Sequence, residues 1–201
     1  ADDIRVAKLS ATRHAVILVA ALNLGYFGIE FAVALAIGSV SLFADSVDFL
    51  EDASVNLLIL LALTWSPKRR AQLGMVLALI LLLPALAGLW TAGAKLFAPV
   101  VPAPLPLTLT GLGALAVNLV CAIILARVRD HHGSLTRAAF LSARNDALAN
   151  VAIVAAGLAT AYLWHSIWPD LLVGLGIAAM NADAARDVWR AAHREHQAAR
   201  A

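Results

Sequence analysis

The chain has 201 residues, of which 62% are hydrophobic and 14% are charged. Soluble domains carry about a quarter charged residues, so this composition excludes an ordinary soluble enzyme or binding domain. The formal net charge of +2 is too small to indicate a nucleic-acid-binding surface. We therefore expect an all-α polytopic membrane protein.

Six apolar runs are long enough to cross a bilayer, since a transmembrane helix needs about 20 predominantly apolar residues. The connection at Gly38–Ser39 is so short that the first two spans should form an antiparallel hairpin. The proline-rich segment 99–106 should be an extended, non-helical connector. We predict one transmembrane domain over residues 1–201, without a separate cytoplasmic domain, whose spans are approximately 15–37, 40–64, 74–96, 107–126, 138–163 and 169–189.

Basic residues collect in alternate connections between these spans. They precede the first span, follow the second, fourth and sixth, and leave Lys95 as the one basic residue of the remaining connections. Positively charged segments stay on the cytoplasmic side of a membrane. We therefore expect both termini to be cytoplasmic, and the protein to lie in the bacterial inner membrane.

The second predicted span contains four acidic residues inside an otherwise apolar run. On a helix, Asp45, Asp48, Asp52 and Asn56 share one narrow face, and Glu51 lies at its edge. An ionised carboxylate at bilayer depth costs several kcal/mol unless it is paired or bound to a cation. The pattern therefore predicts that a cation meets these acids.

The fifth predicted span carries a matching polar face, formed by Ser142, Asn145, Asp146 and Asn150. Two such helices can enclose one metal ion, because carboxylates supply charge and the helices fix the geometry. For Ser142 and the amides, hydrogen bonding between helices is at least as good an explanation as metal binding. Glu30 in the first span is either a proton relay or a buried, hydrogen-bonded group.

These residues, in this order, resemble the cation diffusion facilitator family of divalent-metal exporters. The second span of that family typically has Asp, then His or Asp three residues later, then Asp four residues after that. Here these positions are Asp45, Asp48 and Asp52. The fifth span typically has His-x-x-x-Asp followed by Ala-Leu, and here Ser142 and Asp146 hold the two motif positions.

The resemblance implies a transport site formed by Asp48, Asp52, Ser142 and Asp146. It also implies a homodimer that exchanges metal for protons by alternating access. Zn²⁺ and Cd²⁺ are the expected cargo, and no cofactor is expected beyond the transported ion. The accessory candidates are Asn145, Asp45, Glu51 and Glu30.

This chain departs from the family pattern in two ways. Ser142 replaces the usual histidine, which leaves an oxygen-rich site and adds Mn²⁺ and Fe²⁺ as candidate cargo. The family usually continues into a cytoplasmic metal-binding domain, whereas this chain ends about a dozen residues after its last predicted span. We therefore expect either a short form without that domain or a truncated chain.

Two other classes of function stay open on the sequence. A metal-selective channel would conduct ions without proton coupling. A non-transporting scaffold or sensor would use the acids only to hold helices together. An intramembrane enzyme is the weakest alternative, because no zinc-protease motif or nucleophile–base pair is evident, and we expect no enzyme activity.

Overall fold

The computed structural model describes residues 2–62, 69, 72, 75–76, 86, 88–128 and 134–198. These residues form helices joined by short connections and contain no strand, which confirms the all-α prediction. The helices are α1 (Asp2–Ile37), α2 (Val40–Ala62), α3 (residues 88–97), α4 (Pro104–Ala126), α5 (Ser134–Tyr162) and α6 (Trp168–Ala198).

Two stretches of the described helices are long and apolar enough to cross a membrane by themselves. They are Ser10–Ile37 in α1 and the whole of α4, and α6 contributes a shorter apolar stretch over Trp168–Met180. The second helix is long enough at 23 residues, but it carries four acids inside its apolar run. The polar residues of α2 therefore need partners inside the bundle.

The outward faces of these helices carry large apolar side chains. On α4, Leu105, Leu109 and Ile123 are each more than half exposed, and on α5 Leu148 is 66% exposed. Buried positions instead include small and polar residues such as Ala114 on α4. A soluble protein rarely exposes so large an apolar surface, so this surface is suited to lipid.

The connector before α4 is shorter than the sequence predicts. Segment 99–106 was expected to be non-helical throughout, but α4 begins at Pro104, and the Leu107 amide donates to the Ala103 carbonyl over 3.2 Å. Proline is tolerated in the first turn of a helix, because the amides there have no partner within the helix. The prediction was therefore wrong for Pro104–Pro106.

A two-residue turn joins α1 to α2. Gly38 has a φ of +65°, and the Ser39 amide donates to the Ala34 carbonyl over 3.0 Å, which closes α1 with a Schellman-type cap. The Ser39 hydroxyl then accepts from the Leu42 amide over 3.1 Å and caps the start of α2. We call the end of the bundle that contains this turn the turn end.

Two apolar layers show that α5 runs antiparallel to α2. The layer nearer the turn end joins the start of α2 to Ile153, late in α5. The second layer joins Val19, which lies earlier in α1 than Ala34 of the first layer, to Ala143, early in α5. Because the turn makes α1 antiparallel to α2, α5 runs in the direction of α1 and against α2. Along α5, Asp146 lies between residues of the two layers, and along α2 the acids follow the first layer. The first layer comprises Ala34, Leu42, Phe43, Ala44, Leu107, Ile153, Ile177 and Ala178, and the second comprises Val19, Cys121, Ala122, Leu125 and Ala143.

Candidate metal site

Helix α2 holds its acids inside the bundle. Asp45 is fully buried and Asp52 is 7% exposed, whereas Asp48 and Glu51 keep part of their surface accessible. At a rise of about 1.5 Å per residue, Asp48 and Asp52 lie roughly 12 and 18 Å along the helix from Val40. The hydrocarbon core of a bilayer is about 30 Å thick, so a spanning α2 puts both carboxylates near its middle.

Helix α5 brings one more acid, Asp146, close to those of α2. The Asp146 carboxyl lies within hydrogen-bonding reach of Asp52, and Asp48 is close enough to Asp146 for their charges to interact. Two ionised carboxylates cannot face each other in a low-dielectric interior without a proton or a cation between them. The Asp52–Asp146 pair therefore requires a proton or a cation between its carboxyl groups.

A second pair of carboxyl groups joins α1 to α2. Glu30 and Asp45 lie within hydrogen-bonding reach of each other, and both side chains are fully buried. Among the described residues, none of their four carboxyl oxygens has a hydrogen-bond donor. This pair also requires a proton or a cation, and it extends the acidic region from Asp52 toward the turn end.

The described structure includes three of the four predicted ligands, Asp48, Asp52 and Asp146. Within the described ranges, no three His, Cys, Asp or Glu side chains are arranged to hold one metal ion. Asn145 is exposed and Asp146 is partly buried. The side chain of Ser142 lies outside the described part of the structure. Pairs of acids are therefore in place, and a complete ligand shell needs additional oxygen donors.

Two amides on the same helix faces have a free acceptor atom. Asn56 Nδ2 donates to the Asp52 carbonyl over 2.7 Å, and Asn150 Nδ2 donates to the Asp146 carbonyl over 2.8 Å. Both residues are at most 1% exposed. In the described part of the chain, neither Oδ1 atom has a hydrogen-bond partner. A buried amide oxygen without a partner is unfavourable. The two Oδ1 atoms are therefore acceptors that a bound cation or a hydrogen-bond donor would stabilise.

Sequence reasoning did not identify Asp170 at the start of α6, which is a buried hydrogen-bond acceptor. Lys95 Nζ lies 2.9 Å from Asp170 Oδ2, and the side chains are 5% and 0% exposed, respectively. Asp170 also accepts from the Ser39 and Ser41 hydroxyls over 2.6 Å each, and from the Val40 and Ser41 amides over 2.9 and 3.2 Å. Two sequence features could have revealed this ion pair. Lys95 is the one basic residue of the otherwise non-basic connections, and Asp170 is an acid in the first turn of a helix.

Comparison with known protein families assigns the chain to one family. A family model described as the cation efflux transmembrane domain matches residues 16–195. A search of curated proteins finds no match. The matched range includes every acid of the α1, α2 and α5 arrangement described above.

Proposed function

This chain belongs to the cation efflux family, whose members transport metal cations, and we propose that it exports divalent transition-metal ions in exchange for protons. Alternating access to one intramembrane site would provide the exchange. Asp48, Asp52 and Asp146 bind the ion in this proposal, with Ser142 as a neutral ligand. The acid pair between α2 and α5 is the observation that carries the proposal.

Proton coupling follows from the chemistry of closely spaced carboxylates. An empty site with several acids in a low-dielectric interior retains protons, because the ionised groups repel one another. A divalent cation displaces those protons when it binds. Release of the metal on the other side of the membrane lets protons bind again, so the same residues serve both substrates.

The donor set guides the choice of metal. Carboxylate, hydroxyl and amide oxygens suit hard cations, so Mn²⁺ and Fe²⁺ are candidate cargo. The family resemblance favours Zn²⁺ and Cd²⁺, which we place first. Competition among these four ions for binding to the purified protein would rank them.

The remaining parts of the proposal concern the assembly and its membrane. We place both termini in the cytoplasm of a bacterium and the transporter in its inner membrane, on the distribution of basic residues. The turn end then faces outward. The transporter works as a homodimer in this proposal, in direct contact with lipid.

Transport into proteoliposomes tests the function directly. Vesicles that hold the full chain and an encapsulated zinc indicator should take up Zn²⁺ when their interior is acidic, and uptake should become slower when the pH gradient is dissipated. Asp146→Asn should lower the transport rate by more than about tenfold. Replacing even a residue that only supports the ligands of a metal site typically lowers metal affinity or activity about 10- to 100-fold.

Asp183→Asn is the matched control, because it makes the same chemical change at an exposed position of α6. Uptake that continues unchanged without a pH gradient would support a channel instead. Absence of metal flux, or equal flux through Asp146→Asn and the wild type, would contradict the proposed site.

A further inference from the structure

The two buried amides of α2 and α5 occupy equivalent positions in their helices. Each lies four residues after an acid of the facing pair, Asn56 after Asp52 and Asn150 after Asp146. Each turns its Nδ2 group back to the carbonyl of that acid. The orientation of each amide is fixed by this bond, because a flipped amide would bring two oxygens together.

Among the described side chains, this orientation leaves the Oδ1 acceptor of each amide without a bond, one helical turn along the same helix from an acid of the pair. Asn56 is 1% exposed, Asn150 is fully buried, and the acids they follow form the cross-helix pair. Within the residues that the structure describes, both Oδ1 atoms are without a donor. A carbonyl-type oxygen next to a carboxylate is a donor set that binds divalent cations.

The antiparallel packing of α2 and α5 separates the two amides. Along α2, Asn56 lies one turn farther from the turn end than Asp52. Along α5, Asn150 lies one turn nearer the turn end than Asp146, because the helix runs the other way. Four residues correspond to about 6 Å of helix. The amides therefore flank the acid pair on opposite sides.

We propose that Asn56 and Asn150 are ligands of the transported cation, each completing one of two overlapping ion positions that share Asp52 and Asp146. Asn150 and Asp48 serve the position nearer the turn end, and Asn56 serves the position on the other side. The cation moves between them by exchanging one amide oxygen for the other while the acid pair stays bound. This inference rests on the proposed function and adds the route of the ion within that site.

The coordination number of a divalent cation supports this assignment. A shell built from two or three carboxylates needs neutral oxygens to reach four or more ligands. Among the residues that the structure describes, Asn56 and Asn150 are the buried neutral oxygen acceptors on the acid-bearing faces that have no partner. Their placement on both sides of the pair gives each end of the bundle its own neutral ligand.

Replacement by cysteine tests direct coordination. In a Cys121→Ser background, which removes the native thiol, we would make Asn56→Cys and Asn150→Cys in the full chain and titrate each with Cd²⁺. A thiolate ligand should produce a new ultraviolet thiolate-to-cadmium absorption, and it should raise the preference for Cd²⁺ over Mn²⁺ by about tenfold or more. Cys121→Ser alone should show neither change.

A second pair of variants separates a ligand from a structural amide. Asn150→Asp keeps an oxygen but loses the Nδ2 donor, whereas Asn150→Leu loses both. A ligand role predicts that Leu weakens Zn²⁺ binding by about 10- to 100-fold and that Asp retains it. A purely structural role, through the bond to the Asp146 carbonyl, predicts that both variants fail alike. Asn56→Asp and Asn56→Leu should behave in the same way.

The outcomes distinguish this inference from the function on which it rests. If the wild-type protein binds none of the divalent ions, the proposed function fails. If the wild type binds metal and Asp52→Asn with Asp146→Asn abolishes binding, the function stands. In that case, a cysteine variant that binds cadmium without the absorption band, or Leu variants of wild-type affinity, would overturn the two-position proposal.

Discussion

Asp170 joins three elements of the bundle through a single carboxylate. It neutralises Lys95 at the end of α3, caps the first amides of α2, and stands in the first turn of its own helix α6. A carboxylate near helix N-termini is favoured by the unpaired amides and the helix dipole there. Its hydrogen-bonding capacity is used fully, so we assign it a structural role at the turn end.

Asp170→Asn should destabilise the protein by about 3–5 kcal/mol, the usual cost of removing one member of a buried ion pair. The amide would leave Lys95 without a counter-charge and would turn an NH₂ group toward donors. Lys95→Met should cost less, because Asp170 keeps its other donors. Thermal unfolding in detergent measures both, and Asp183→Asn serves as the exposed control. Equal midpoints for Asp170→Asn and the control would refute this role.

At the residue level, the sequence predicted which acids lie inside the spans, but it did not predict which of them lie next to each other. Four acids in one apolar run indicated a candidate cation site, because an uncompensated charge in lipid is costly. The sequence could not show that the acids meet in pairs, Asp52 with Asp146 and Glu30 with Asp45, since pairing depends on how three helices pack. Asp170 was missed because an acid at the end of a span looks like an ordinary solvated residue until Lys95 is found beside it.

The close approach of α6 to α2 depends on one glycine. A Cβ atom on Gly174 would lie 2.7 Å from both the Ser41 nitrogen and the Val40 carbonyl carbon. Both atoms belong to the backbone of α2 and cannot move aside without shifting the helix. This contact and the Asp170 bonds hold the same ends of α2 and α6 together.

Gly174→Ala should therefore lower stability by about 1–3 kcal/mol, the usual cost of overpacking. Gly176→Ala is the matched control, because a Cβ there meets nothing within 4 Å. Alanine is the better helix former by up to about 1 kcal/mol, so the control should be neutral or stabilising. Denaturation midpoints measured in parallel check the order, and a Gly174→Ala protein as stable as Gly176→Ala would contradict the close contact.

The start of α4 shows which features of a helix boundary can be predicted from the sequence. A run of prolines predicts a break in helical structure, and residues 99–103 are indeed non-helical. The same rule fails at Pro104 and Pro106, because a proline in the first turn loses no hydrogen bond. The prolines therefore predicted the non-helical connector, but they did not predict the residue at which α4 begins.

For the whole molecule, orientation in the membrane is the open prediction with the simplest test. Phe97 is 92% exposed at the turn end, and Gln197 is exposed near the end of α6. In a Cys121→Ser background, a membrane-impermeant maleimide should label Phe97→Cys in intact cells. It should label Gln197→Cys only after the cells are permeabilised. The reverse pattern would place the termini outside and contradict the positive-inside assignment.

The central claim is that carboxylates buried among the helices are stabilised by a divalent cation or by the protons it displaces. Proton release on metal binding tests it most directly. Wild-type protein in weakly buffered detergent solution should bind Zn²⁺ and release protons in a fixed ratio to the metal bound. A folded Asp52→Asn, Asp146→Asn double variant should show neither effect. Zinc binding to the wild type without proton release, or undiminished binding and release in the double variant, would contradict the account.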